Sequence, residues 1–272
     1  MKVSIILPTY NRAKLIGRAI QSVLTQSFQD WELIIIDDAS TDETPRILDE
    51  WKKKDSRIKI IRNNVNSYPD ISGTLNKGIK QASGKYIARL DDDDYWISSE
   101  KLEKQVQFLE SHPDYVLVGT GVIIVDANGK ELFRYLKKER DVDIRKGALF
   151  ANPFSHTTVM FRTNIFRGVG GYGNWEFAED WELWLKLGTK GKLYNLPEHS
   201  VAYLLAGQNK SFIHQRKQAK TILKFISKYK RKYPRFLLAY LLNASIYIYS
   251  FLPWWLKKKL HPALSKIKRS SF

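Results

Sequence analysis

Asp91-Asp92-Asp93-Asp94 places four consecutive aspartates directly after an apolar run at 86–90 and shortly before Trp96. Like charges held so close are costly unless a cation or strong hydrogen-bond donors neutralise them. Carboxylate oxygens suit a hard ion, Mg²⁺ or Mn²⁺, which commonly bridges one or two carboxylates to substrate phosphates without a closed protein cage. A solvated acidic turn or a helix N-terminus is the plainer alternative. Asp37-Asp38 follows another apolar run and carries the same two readings, with helix capping as its plain one. The chain has no cysteine, so a thiolate metal site, a cysteine nucleophile and a disulfide framework are all excluded. There is no Gly-x-Gly-x-x-Gly after the first apolar run and no Gly-x-x-x-x-Gly-Lys-Ser/Thr anywhere, which disfavours dinucleotide dehydrogenases and P-loop NTPases.

The elements that must position these acids follow from hydrophobic periodicity. Strands are expected at 3–7, 32–36, 58–61 and 86–90, separated by helical segments. Leu15, Ile16, Ala19, Ile20, Val23 and Leu24 share one helix face, and Ser40-Thr41-Asp42-Glu43 reads as a capping box opening a second helix. Leu75, Ile79 and Ala82 mark a third, stopped by Gly84. Strands alternating with helices imply an α/β, doubly wound sheet, and such folds bind ligands beyond the carboxyl ends of their strands. Both acidic groups lie at those ends and should face one crevice. Further on, strands are expected at 116–125 and 157–161, with a turn at Asn128-Gly129 between them. A helix at 180–187 would turn Leu183, Trp184 and Leu187 inward. At 272 residues and 43% hydrophobic content, the chain fits one large domain with an appendage.

These residues together resemble the family 2 glycosyltransferases of the GT-A fold, over about the first 210 positions. Ser4-Ile5-Ile6-Leu7-Pro8-Thr9-Tyr10-Asn11-Arg12 is similar to that family's opening strand and nucleotide loop, and Ile36-Asp37-Asp38-Ala39-Ser40-Thr41-Asp42 to its second. Leu75-Asn76-Lys77-Gly78-Ile79, Ala82-Ser83-Gly84-Lys85-Tyr86-Ile87 and Leu90-Asp91-Asp92-Asp93-Asp94-Tyr95-Trp96 follow in family order, the last resembling an Asp-x-Asp metal segment. Gly170-Gly171-Tyr172 and Ala178-Glu179-Asp180-Trp181-Glu182-Leu183-Trp184-Leu185 resemble the acceptor-side segment. The resemblance implies a mixed GT-A sheet flanked by helices and an inverting transfer from a nucleotide-sugar donor. It implies that Thr9, Tyr10 and Asp38 hold the nucleoside, that Asp91 contacts ribose or metal, that Asp93 ligates Mg²⁺ or Mn²⁺, and that Asp180 is the catalytic base. Glu179 and His156 would lie toward the acceptor, while Trp175 and Trp181 could stack on a sugar face. Asp92 departs from the pattern, standing where a small residue is common.

The implied organisation is a catalytic domain at 1–206, with a nucleotide half at about 1–98 and an acceptor half at about 99–206, then a basic helical tail at 207–272. That tail holds 16 of the 45 Lys and Arg and none of the 28 Asp and Glu, so the net charge of +17 is almost entirely its own. Its uncharged, aromatic stretch at 236–256 is flanked by Lys228, Lys230, Arg231, Lys232 and Arg235 before and Lys257-Lys258-Lys259 after. Three readings stand: a helix lying on an anionic membrane surface, a membrane span, and a helix packed on the domain. The first places the protein in the cytoplasm, peripheral at the cytoplasmic face of the membrane, with a glycan or lipid-linked acceptor. The competing functions are metal-dependent nucleotidyl or phosphoryl transfer and nucleic-acid binding through the basic tail. A nearly neutral front portion argues against nucleic acid as the partner.

Overall fold

The computed structural model describes residues 1–205 and 215–253. Strands β1 (Val3–Thr9), β2 (Trp31–Asp37), β3 (Ile58–Arg62) and β4 (Tyr86–Arg89) are parallel, in the order β3-β2-β1-β4. They are apolar on both faces because helices cover both. Side chains alternate along a strand. Ile5, Leu7, Leu33 and Ile35 therefore meet Ile16, Ile20 and Val23 of helix α1 (Ile16–Leu24) and Leu48 of α2 (Thr44–Lys54). Ile6, Ile34 and Ile36 point the other way, onto Leu75 and Ile79 of α3 (Ile71–Lys80). Gly84, just before β4, lies so close to β1 that a Cβ there would sit 2.5 Å from the Ser4 amide nitrogen.

After β5 (Tyr95–Trp96) and α4 (Lys101–Ser111), the sheet is extended by β6 (Tyr115–Val125), β7 (Glu131–Tyr135), β8 (Met160–Arg162) and β9 (Lys192–Leu204). The full order is β3-β2-β1-β4-β8-β6-β9-β5, with β7 on β6, and β8 runs antiparallel to both neighbours. The result is a mixed sheet flanked by helices. Helices α5 (Asp141–Gly147), α6 (Thr163–Gly168) and α7 (Glu179–Gly188) sit among these strands.

Two local expectations are corrected. The strand expected at 157–161 is instead a 3-10 turn at His156–Thr158 followed by β8, because Thr158 bonds back to the Ser155 carbonyl through both its amide (3.0 Å) and its hydroxyl (2.8 Å). The Ser40–Glu43 capping box does not form. Ser40 Oγ accepts from the Asn11 amide (3.0 Å), and α2 begins at Thr44, whose amide donates to Asp42 Oδ1 (2.9 Å).

Helices α8 (Gln215–Lys228) and α9 (Phe236–Tyr249) belong to the basic segment, and they pack on α7. Phe225, Ile226, Tyr229, Tyr233 and Ala239 share a core cluster with Trp181, Leu185, Leu149 and Phe150. Tyr229 Oη donates to Glu182 Oε1 (2.6 Å), Tyr233 Oη to the Leu185 carbonyl (2.8 Å), and Asn243 Nδ2 to the Leu149 carbonyl (3.1 Å). No helix among the described residues is long and apolar enough to cross a membrane. Residues 254–256 of the apolar stretch and Lys257-Lys258-Lys259 lie outside the described residues.

Candidate functional site

The loops leaving β1 and β2 are fastened together. Asn11 and Ala39 adopt left-handed backbones (φ 53° and 63°), and Asn11 Oδ1 accepts from the Thr41 amide (2.8 Å). Non-glycine residues held in that region cost free energy, and such strain tends to gather at functional sites. The Asp91–Asp94 run divides against this frame. Asp92 turns back to the β1 loop, accepting from Arg12 Nε (3.2 Å) and the Tyr10 amide (3.3 Å). Asp94 is buried and accepts from the Leu204 amide (3.0 Å), tying the turn to β9. Asp91, Asp92 and Asp93 line the cavity, Asp92 with its carboxylate already engaged by the β1 loop.

Asp91 is held from beneath. Arg89, only 1% exposed, donates from Nη2 to Asp91 Oδ1 (2.7 Å) and from Nε to His156 Nε2 (3.0 Å). That same His156 nitrogen is 2.7 Å from Tyr172 Oη. Accepting from Arg89 requires a neutral imidazole, and burial together with the guanidinium charge holds the His156 pKa well below its ordinary value. Burial pushes Asp91 up to about 6 against the pull of Arg89, with the charges of Asp93 and Asp180 adding to the rise. Burial likewise raises Asp92 to about 7, although Arg12 opposes it.

A third left-handed residue, Ala178 (φ 55°), precedes α7 and places Glu179 and Asp180 in that helix's first turn. Carboxylates are favoured there by the helix dipole. Asp180 Oδ2 accepts from Asn152 Nδ2 (2.7 Å) and Oδ1 from the Trp181 amide (2.7 Å). Burial nevertheless raises the Asp180 pKa, and burial plus the Asp180 charge pushes Glu179 up to about 8.

Thr9, Tyr10, Asp38, Asp91, Asp93, His156, Glu179, Asp180 and Trp181 all line a single cavity beyond the carboxyl ends of β1, β2 and β4. Asp38 reaches it with both carboxylate oxygens already engaged, by Asn63 Nδ2 (2.6 Å), the Ser67 amide (3.0 Å) and Ser67 Oγ (2.7 Å). It thereby fixes the neighbouring loop, whose Asn66, Ser67 and Tyr68 also line the cavity. Of the tryptophans expected to stack on a sugar, Trp181 lines the cavity, and both are packed by the basic segment. Trp175 packs edge-on against Phe225 beneath the Lys228 ammonium, and Trp181 packs on Phe225 while its indole nitrogen donates to the Ala148 carbonyl (2.7 Å). Phe225 comes from the basic segment, which is why spacing within 175–181 does not reveal this packing.

The cavity's donor set suits a hard cation. Asp93 and Asp91 offer carboxylate oxygens, and no hydrogen bond to the Asp93 carboxylate occurs among the described residues. No group of three or more His, Asp or Glu gathers into a closed cage among the described residues. An open site completed by substrate oxygens would need no such cage. Arg89, Tyr172, Asn152 and Lys137 are participants that sequence spacing did not reveal. Of these Tyr172 carried a signal in the Gly170-Gly171-Tyr172 resemblance, and Arg89 as a cation inside an apolar strand that must find a partner.

The sequence matches the profile of glycosyl transferase family 2 over residues 4–170. It is 40% identical over 203 residues to EpsE of Bacillus subtilis (strain 168), named as a glycosyltransferase, covering 72% of this chain and 70% of that one. It is 34% identical over 191 residues to the Escherichia coli UDP-Glc:alpha-D-GlcNAc-diphosphoundecaprenol beta-1,3-glucosyltransferase WfaP, covering 70% and 71%. In fold it is similar to S. aureus TarS 1-349 in complex with UDP-GlcNAc, with a TM-score of 0.71 at 21% identity over 92% of this chain and 73% of that one. The mannosyltransferase PcManGT of Pyrobaculum calidifontis, in complex with GDP-Man and Mn²⁺, gives a TM-score of 0.67 at 18% identity over 97% and 79%.

Proposed function

The chain belongs to the family 2 glycosyltransferases, and we propose that it moves a sugar from a nucleoside diphosphate to an acceptor hydroxyl in one displacement that inverts the anomeric carbon. The observation that carries this reading is the meeting, in one cavity, of Asp91 and Asp93 from the end of β4 with Asp180 from the start of α7. Asp180 takes the proton of the acceptor hydroxyl as its oxygen bonds to the anomeric carbon. The bond from that carbon to the diphosphate breaks, and its electron pair leaves with the nucleoside diphosphate. Mg²⁺ or Mn²⁺ held by Asp93 and Asp91 would supply the charge neutralisation that this leaving group needs. Thr9, Tyr10 and the loop fixed by Asp38 form the nucleoside side of the cavity. With its pKa pushed up to about 8, Glu179 stays protonated at neutral pH and spares Asp180 an adjacent charge. Residues 1–98 serve as the nucleotide half and 99–206 as the acceptor half, with the basic segment walling the base helix.

Nucleotidyl transfer and nucleic-acid binding have no support in the family or in the site. For the acceptor, WfaP carries its saccharide on a diphosphate lipid by name. A lipid-linked or surface glycan at the cytoplasmic face of a membrane agrees with α9, whose Leu237, Leu241 and Ile248 are exposed and which Lys230, Arg231 and Lys232 precede in the sequence. Such a surface suits peripheral attachment to anionic lipid. The deciding assay incubates the protein with UDP-, GDP- and dTDP-sugars and Mg²⁺, with anionic vesicles present or absent. Release of nucleoside diphosphate from one sugar is expected. Inertness toward all of them in folded protein would remove the reading, and vesicles that fail to sediment the protein at low salt would remove the membrane component alone.

A further inference from the structure

Asp180 sits where ionisation is disfavoured. Burial raises its pKa, and its charge in turn raises those of the buried Glu179, Asp91 and Tyr172. A base in that setting needs counterweights. Two come from an excursion of the chain between β7 and the turn before β8. Asn152 Nδ2 donates to Asp180 Oδ2 (2.7 Å), and Lys137 Nζ donates to the Asn152 carbonyl (2.6 Å). Lys137 therefore meets a backbone oxygen here, not a carboxylate, and its charge acts on Asp180 from one residue away. Asn152 also lines the cavity.

We infer that Lys137 and Asn152 are a positioning pair for the base. Asn152 fixes the Asp180 carboxylate through one oxygen and leaves the lone pairs on its other side for the acceptor proton. Lys137 fixes Asn152 and favours the ionised form of Asp180. The amide bond of Trp181 to Oδ1 is local to the helix and would survive loss of either residue, so the pair can be tested separately from α7 itself. Burial pushes the Lys137 pKa down to about 8, against the attraction of Asp180, so its ammonium still predominates at neutral pH. This inference rests on the reading of Asp180 as the base.

The test uses the full chain and whichever of UDP-glucose, UDP-N-acetylglucosamine and GDP-mannose it hydrolyses fastest, following release of nucleoside diphosphate against pH. Lys137→Met removes a charge that favours ionised Asp180, so the base's pKa rises and the acid limb of the kcat profile moves to higher pH. On the acid limb the rate should fall about tenfold, recovering toward the wild-type value on the alkaline side, with the donor KM unchanged. Lys137→Arg should restore the limb. Asn152→Ala should lower kcat about ten- to a hundredfold, again at unchanged donor KM. A uniform loss at every pH, or a limb that does not move while Asp180→Asn is inactive, overturns the pair and leaves the base standing. Full activity in Asp180→Asn instead overturns the base, and the pair with it. Melting temperatures of all four variants separate these outcomes from misfolding.

Discussion

Buried carboxylates occur at both ends of the central sheet, under opposite conditions. Glu32, at the amino end of β2, is fully buried and accepts from Ser4 Oγ (2.5 Å), the Ser83 amide (2.8 Å), Ser83 Oγ (2.7 Å) and Lys59 Nζ (2.6 Å). Burial by itself would raise its pKa, but these donors hold it down to about 2. At the carboxyl end, Asp91 and Glu179 are pushed up to about 6 and 8 by burial and by each other's neighbourhood. One end brings its own donors and fastens β2 to its neighbours. The other has fewer, Arg89 on Asp91 and Asn152 with the Trp181 amide on Asp180, and burial prevails there; in the proposed reaction the substrates would supply the rest, an acceptor proton and a cation carried on a diphosphate.

The largest effect expected from that contrast is on chemistry. Asp180→Asn should lower turnover by about two to four orders of magnitude while the protein keeps its melting temperature, as steady-state assays and thermal unfolding of the same preparation would establish. Second comes stability at the other end. Glu32→Gln removes a charge that four donors were built around and should cost about 3 kcal/mol in urea unfolding at pH 7. A loss below about 0.5 kcal/mol would break the comparison.

The pH dependence sharpens it. The folded pKa of Glu32 lies below its unfolded value, so its contribution is complete above about pH 4.5 and is lost as pH falls toward about 2. The stability gap between wild type and Glu32→Gln should close over that window. A gap that is constant with pH would assign the effect to packing. The smallest effect is expected of Asp93→Asn, which relieves repulsion on Asp91 and should leave the ligand-free protein unchanged or up to about 1 kcal/mol more stable.

The scaffold was legible in the sequence because its strands are continuous apolar runs and its helices repeat at helical spacing. Ile5 and Ile6 fall on opposite faces of the sheet for the reason that period predicts. The Asp91–Asp94 run and the 178–185 segment were legible as chemistry. What was not legible was which aspartates face the cavity. The Leu204 amide takes Asp94 out of it, and Arg12 with the Tyr10 amide engages Asp92 at its wall, across 80 to 110 positions of chain. The same holds for Trp175 and Trp181, whose packing against Phe225 joins positions more than 40 residues apart. Ser40 looked like a helix cap because local spacing cannot show that the Asn11 amide reaches its hydroxyl first.

The central claim is that the raised carboxylates at the carboxyl end await a cation bound to a nucleoside diphosphate. Thermal unfolding of wild type and Asp93→Asn tests it most directly, with UDP and GDP each added in the presence of Mn²⁺ or of a chelator. One nucleotide, at a hundredfold excess over its Kd, should raise the wild-type melting temperature by about 5–10 °C with Mn²⁺ and scarcely at all with chelator. Asp93→Asn should lose that rise. Equal stabilisation with chelator, or a full rise in Asp93→Asn, would contradict the account.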